Sequence, residues 1–269
     1  MEIFYFGQSS RRLFGVLDGP SQNPRGGLVF CPPFGDEVVA TYAALARWSK
    51  ELAARGFAVL RFHPYGTGES DGTFADFNLQ GALRDVSAAV SCLATRTGLE
   101  RVGLFGARFG GFLAAQAALE MPPEFLILWS PITNPRQYFR DLLRMRLTAD
   151  LIHLGAERVG LTTQGMTEEF KAGRSVDVLG NEFSPEFYQQ MTAGPLWPKQ
   201  APSPKVLWLS RLAERGQCSP LAQKWADSGR AVDMQFLPEA PFWEELSRIF
   251  PEKFGGASDT WLAAQGMRN

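Results

Sequence analysis

The chain has 269 residues, 45% of them hydrophobic, and a formal net charge of −1 from 27 Lys and Arg against 28 Asp and Glu. That length can bury one large core with room for an insertion, and the charge balance argues against a nucleic-acid binder, which carries a basic surplus. No apolar run approaches the roughly 18–20 residues of a membrane span. The opening Met-Glu-Ile-Phe-Tyr-Phe lacks the basic region, apolar core and cleavage site of a signal peptide, so none is expected. Three cysteines, Cys31, Cys92 and Cys218, are widely spaced and odd in number. They read as free thiols in a reducing compartment, the cytoplasm. No CxxC, HExxH or Cys/His cluster suggests a metal, and no cofactor is expected.

Residues 2–6 and 12–17 are short alternating or apolar runs and predict a hairpin at a sheet edge. Residues 27–31 form a buried strand stopped by Pro32-Pro33-Phe34-Gly35-Asp36-Glu37. Apolar positions at helical spacing (Val39, Tyr42, Leu45, Trp48, Leu52) predict a helix over 38–55, with Gly56 as its cap. A strand at 57–62 then leads into a glycine-rich loop from His63 to Gly72. Helices at about 79–96 and 109–120 alternate with strands at about 101–105 and 125–129. Such alternation means a parallel sheet with right-handed crossovers.

The pattern breaks between 134 and 200, where helical segments at 135–153, 166–173 and 184–193 occur with no convincing buried strand. This stretch reads as a helical cap (134–200) inserted into a core made of 1–133 and 201–269. A strand at 205–210, a helix at about 219–228, a strand at about 231–237 and a helix near 257–266 complete the chain.

The most informative stretch is Val102 to Gly111. An apolar run ends in Gly106-Ala107-Arg108-Phe109-Gly110-Gly111, and an alanine-rich helical segment follows. Small residues two before and two after the tip let strand and helix pass close together, and the tip residue is expected in a strained conformation. Strand, sharp turn and helix of this kind resemble the nucleophile elbow Gly-x-Ser-x-Gly of the α/β-hydrolases, with Arg108 at the tip. The order of elements resembles that superfamily throughout. It implies an α/β-hydrolase fold, a mostly parallel eight-stranded sheet flanked by helices with a helical cap insertion.

Within the superfamily the chain resembles the bacterial exosortase A system-associated hydrolases, type 2. The likeness rests on Cys31-Pro32-Pro33-Phe34-Gly35-Asp36-Glu37, the Gly66-x-Gly68-x-Ser70-x-Gly72 loop with Phe74-Ala75-Asp76, and the elbow. Asn181-Glu182-Phe183-Ser184-Pro185 in the cap and Pro241-Phe242-Trp243 near the end extend it. The resemblance implies hydrolase ancestry and a link to bacterial exopolysaccharide gene sets.

A serine hydrolase needs a nucleophile, a base, an acid orienting the base and an oxyanion hole. Arg108 holds the nucleophile position, and a guanidinium is permanently charged and no nucleophile. The base of this fold is a His after the last strand, but Leu237 to Trp243 contain none. The chain's two histidines are His63, read as a structural loop residue, and His153 in the cap. Glu214 is the candidate acid. Phe34 and Gly35 occupy the oxyanion loop, and the Phe109 N–H is the second donor. Ser70, Ser130 and Cys31 are the other nucleophile candidates; none has a His at readable spacing.

Two arrangements are open for Arg108, whose cation needs a partner when partly buried. It forms an internal salt bridge, with Glu37 or Glu239 the leading carboxylates and Asp36 and Glu214 also in range. Alternatively it presents its charge to an anionic ligand at the helix N-terminus. Trp243 is a candidate wall of the mouth. The expected ligand-binding set is therefore Arg108, Phe109, Phe34, Gly35, Glu37, Glu239 and Trp243. The expected partner is a small anionic or acyl molecule, with the protein a monomer or homodimer.

Overall fold

The computed structural model describes residues 1–154, 162–194, 197–244 and 250–265, the side chains of 153 and 154 apart. The reading of His153 thus lies outside the described residues. Eight strands form one sheet: β1 (Glu2–Gln8), β2 (Arg11–Asp18), β3 (Gly26–Cys31), β4 (Phe57–Phe62), β5 (Gly103–Ala107), β6 (Leu126–Trp129), β9 (Lys205–Arg211) and β10 (Ala231–Leu237). Their order is β1-β2-β4-β3-β5-β6-β9-β10. The β1–β2 and β2–β4 pairs are antiparallel and all others parallel. Every residue of β3, β5 and β6 is buried, which explains why these strands read as unbroken apolar runs: both faces of a parallel sheet are covered.

Two apolar cores lie on opposite sides of the sheet. One is built with α1 (Asp36–Ala54) and α8 (Glu252–Ala264), where Trp48, Phe105 and Trp129 stack at 4.6–4.9 Å between ring centroids. The other gathers α2 (Leu79–Thr97), α3 (Phe109–Glu120) and α7 (Arg215–Ala226). Ten of the twelve α3 residues are buried, so this helix runs through the interior. No helix among the described residues is long and apolar enough to cross a membrane.

Between β6 and β9 the chain departs from alternation into α4 (Pro135–Leu154), α5 (Thr163–Lys171) and α6 (Pro185–Ala193). Thr162 and Ser184 side chains cap α5 and α6 by accepting the amides of Gly165 and Phe187, and Pro185 opens α6. The insertion is not purely helical, as the sequence led one to expect. A hairpin of β7 (Val176–Val178) and β8 (Asn181–Phe183) sits between α5 and α6. Its two-residue turn places Leu179 at φ 55 and Gly180 at φ 81. A leucine in that conformation is uncommon, so the usual Asn-Gly signal was missing. Phe34 joins the insertion to the core: its ring lies 5.4 Å from Phe183 and 4.9 Å from Phe187.

Candidate functional site

The turn between β5 and α3 is as tight as its glycines imply. Arg108 adopts φ 53, ψ −121 as the residue before the helix. A Cβ on Gly106 would lie 2.1 Å from the Gly110 carbonyl oxygen, and one on Gly110 would lie 2.2 Å from that of Cys31. No side chain fits at either position, so strand, loop and helix can meet only with glycine there. The backbone strain at Arg108 is held in place by this packing.

The Arg108 side chain bends back against the protein. Its Nε donates to Glu37 Oε1 at 3.1 Å and its Nη1 to the Ser130 carbonyl at 3.3 Å. Its guanidinium carbon stands 4.2 Å above the Trp243 ring centroid, with the Arg211 guanidinium 5.4 Å from the same ring. Arg108 and Glu37 are mostly shielded from water, at 17% and 13% side-chain exposure. Glu37 reaches the elbow because Gly35 turns at φ 57 and starts α1, which puts residue 37 in its first turn.

Burial pushes the Glu37 carboxyl above its usual range. The Arg108 charge and hydrogen bond, the Tyr138 hydroxyl and the Phe109 amide pull the other way. Tyr138 and Glu37 approach each other short of full hydrogen-bond geometry: among the described residues Glu37 Oε2, Tyr138 Oη and Ser130 Oγ lack a well-formed partner. Burial raises the Tyr138 hydroxyl well above the phenol range, so it stays protonated.

A cavity of about 630 Å³ opens over this cluster, bordered by Gly35, Glu37, Arg108, Tyr138 and Trp243. Asp36, Asp141 and Glu244 also line it. Among the described residues carboxylates thus outnumber the single lining cation, and that cation is already paired.

Of the expected site residues, Arg108, Gly35, Glu37 and Trp243 converge here. Phe34 borders the cavity at 2% exposure and Phe109 is 1% exposed, so both rings serve chiefly the aromatic core. Glu239 is engaged elsewhere: its carboxylate accepts the Lys253 amide at the start of α8, and its carbonyl accepts Arg211 Nε. The salt bridge of Arg108 is therefore with Glu37 and not Glu239. Glu214 folds back onto the Arg211 amide and caps the short 3-10 turn after β9. Tyr138 was not foreseen, since a lone tyrosine on an amphipathic helix carries no motif.

Two of the other nucleophile candidates, Ser70 and Cys31, are held in structural positions. Ser70 Oγ accepts the Phe14 amide and donates to the His63 carbonyl. Cys31 is fully buried, and burial pushes its thiol far up. Burial likewise takes the Cys218 thiol to about 11. His63 Nδ1 accepts the Glu69 amide and its ring stacks on Phe14 at 5.1 Å.

Sheet order, the positive-φ turn before α3 and the inserted helices define an α/β-hydrolase. The chain belongs to the serine aminopeptidase S33 family (Hydrolase_4), which matches residues 22–211. No curated protein sequence matches it. Among solved structures it is similar to Est1E from Butyrivibrio proteoclasticus with ferulic acid bound, with a TM-score of 0.62 and 16% identity over 97% of this chain and 98% of that one. Proline iminopeptidase from Mycobacterium smegmatis gives a TM-score of 0.59 at 16% identity over 98% of both chains. Mouse alpha/beta hydrolase domain-containing protein 10 gives 0.59 at 16% identity, over 98% and 100%. At this identity the likeness is one of fold.

Proposed function

We propose that this protein is a hydrolase-fold binding protein with a degenerate triad, holding a small acyl or ester ligand between core (1–133, 201–269) and cap (134–200) without turning it over. The observation that carries this reading is the Arg108–Glu37 ion pair at the elbow tip. A guanidinium cannot attack a carbonyl, and this one is already paired with a carboxylate. Neither Arg108 nor the residues after β10 provide a nucleophile or a histidine base. Of the two ligand classes the sequence left open, the uncharged acyl one fits better. A free anion would have to displace Glu37 from Arg108 and pass Asp36, Asp141 and Glu244.

The motifs quoted above support kinship with the bacterial exosortase A system-associated hydrolases, type 2, and hence a role beside exopolysaccharide assembly. The free thiols are compatible with a cytoplasmic location, as monomer or homodimer. A serine-directed phosphonate and a panel of aryl esters and thioesters test the reading. We expect no covalent adduct and no turnover above the water rate, and Arg108→Ser is expected to leave both unchanged because no base is present. Stoichiometric labelling, or rapid hydrolysis by either protein, would establish an active hydrolase instead.

A further inference from the structure

A second cavity, of about 830 Å³, lies across the Phe34–Gly35 turn from Arg108. Its character is different. Pro33, Val38, Val39, Tyr42, Phe74 and Phe77 line it, and among the described residues none of its lining is a carboxylate or a strong base. His63, on its wall, already accepts the Glu69 amide at Nδ1, so its remaining nitrogen carries the proton of a neutral ring. Burial lowers the His63 pKa, which keeps that ring neutral. Val39 and Tyr42 remain 66% and 48% exposed on α1, so a stretch of apolar side chain faces water here.

The two cavities adjoin. Phe34, Gly35, Val39 and Asn181 border both. A polar, carboxylate-rich cavity over Arg108 therefore lies beside an apolar one along α1, as the two ends of one candidate site. We propose that the apolar end is an acyl-chain lobe, and that the ligand is an amphiphile: an uncharged, hydroxyl- or amide-bearing head over the Arg108–Glu37 pair and a hydrocarbon chain laid along Val39 and Tyr42. The head donates to the lining carboxylates, which disfavour an anionic head. The chain gains affinity by leaving water. This rests on the binding reading above and extends it from a small ligand to a chain-bearing one.

Calorimetric titration of the full chain with hexanoyl, octanoyl and decanoyl N-methylglucamide, each below its micelle concentration, tests the lobe. The heads are uncharged and the amide resists hydrolysis. Affinity is expected to rise about fourfold for each added pair of methylenes in a half-open groove, against about sixteenfold at full burial. Decanoate is expected to bind more weakly than the decanoyl glucamide. Ala43→Trp, at an exposed α1 position lining the lobe, is expected to abolish the chain-length dependence by filling it. Tyr42→Ala, which removes a wall, is expected to flatten it.

Equal affinity for all three glucamides overturns the lobe but leaves binding at Arg108 standing. Chain-length dependence that survives in Ala43→Trp and Tyr42→Ala also overturns it, because the chain then lies elsewhere. No binding of any probe sinks both readings. Tighter binding of decanoate overturns the assignment of the head.

Discussion

The elbow and the loop after β10 deliver side chains to the same spot by different means. Arg108 is placed by backbone: φ 53 on a turn where neither Gly106 nor Gly110 has space for a methyl group. Trp243 is placed by side-chain packing, with its ring edge-on to Phe242 at 5.1 Å and its face under two guanidinium groups. The first region is rigid by steric exclusion and keeps its shape whatever side chain stands at the tip. The second is held by contacts that a substitution can trade. A hydrolase scaffold can therefore lose the chemistry of its elbow and keep the geometry, whereas the loop after β10 is free to change both.

Substitutions can break this contrast, and the largest effect is expected where backbone meets backbone. Gly110→Ala drives a methyl into the Cys31 carbonyl, and is expected to cost at least about 3 kcal/mol, seen as a large drop in the chemical-denaturation midpoint. An unchanged midpoint would mean that the turn is softer than its contacts imply. Arg108→Met comes next. It leaves Glu37 without its cation in a mostly buried site, at an expected cost of about 2–3 kcal/mol, less than for a fully buried pair because both groups keep some water.

The pH dependence of that variant sharpens the point. Glu37 in the parent already has a raised pKa, so its ionised form disfavours the folded state, and stability contributed by this group falls as pH rises through the carboxylate range. Removing Arg108 removes two of the effects that oppose burial and raises it further. The deficit of Arg108→Met relative to the parent is thus expected to shrink in acid and grow toward neutral pH, measured by urea midpoints across that range. Arg108→Met/Glu37→Gln is expected to lose the pH dependence. A pH-independent deficit would show that the pair does not couple. The smallest effect belongs to Glu239→Gln. Its carboxylate meets only the Lys253 amide among the described residues, so about 0.5 kcal/mol of stability is expected to go, with glucamide binding unchanged in calorimetry. A tenfold loss of binding would return Glu239 to the site.

Much of the fold was legible in the sequence because buried parallel strands are short apolar runs and the crossover helices carry helical spacing or, in α3, an alanine-rich composition. The strand at Phe57–Phe62 and the helix at Phe109–Glu120 lie where the pattern put them. The misplaced boundaries have local causes. Gly216 and Pro220 delay the apparent start of α7, which begins at Arg215 with the proline inside it. Gly255 and Gly256 hide the first turn of α8, although Gly255 is there because a Cβ would strike the Phe250 ring at 2.5 Å. At the site, the elbow could be read because it demands glycines at fixed offsets. Choosing Glu37 over Glu239 could not, since that depends on where a helix start points two methylenes and a carboxylate.

The position of Glu37 also bears on how such a protein could change. The carboxylate belongs to a helix on one face of the sheet and the guanidinium stands at the start of a helix on the other, so the pair pins the two layers together at the sheet's rim. A single codon change placing serine at 108 strands a carboxylate in the interior, and a change at 37 alone strands a cation. Any route to a smaller tip residue has to cross that valley or alter both positions at once, so the ion pair acts as a ratchet on what the elbow can carry.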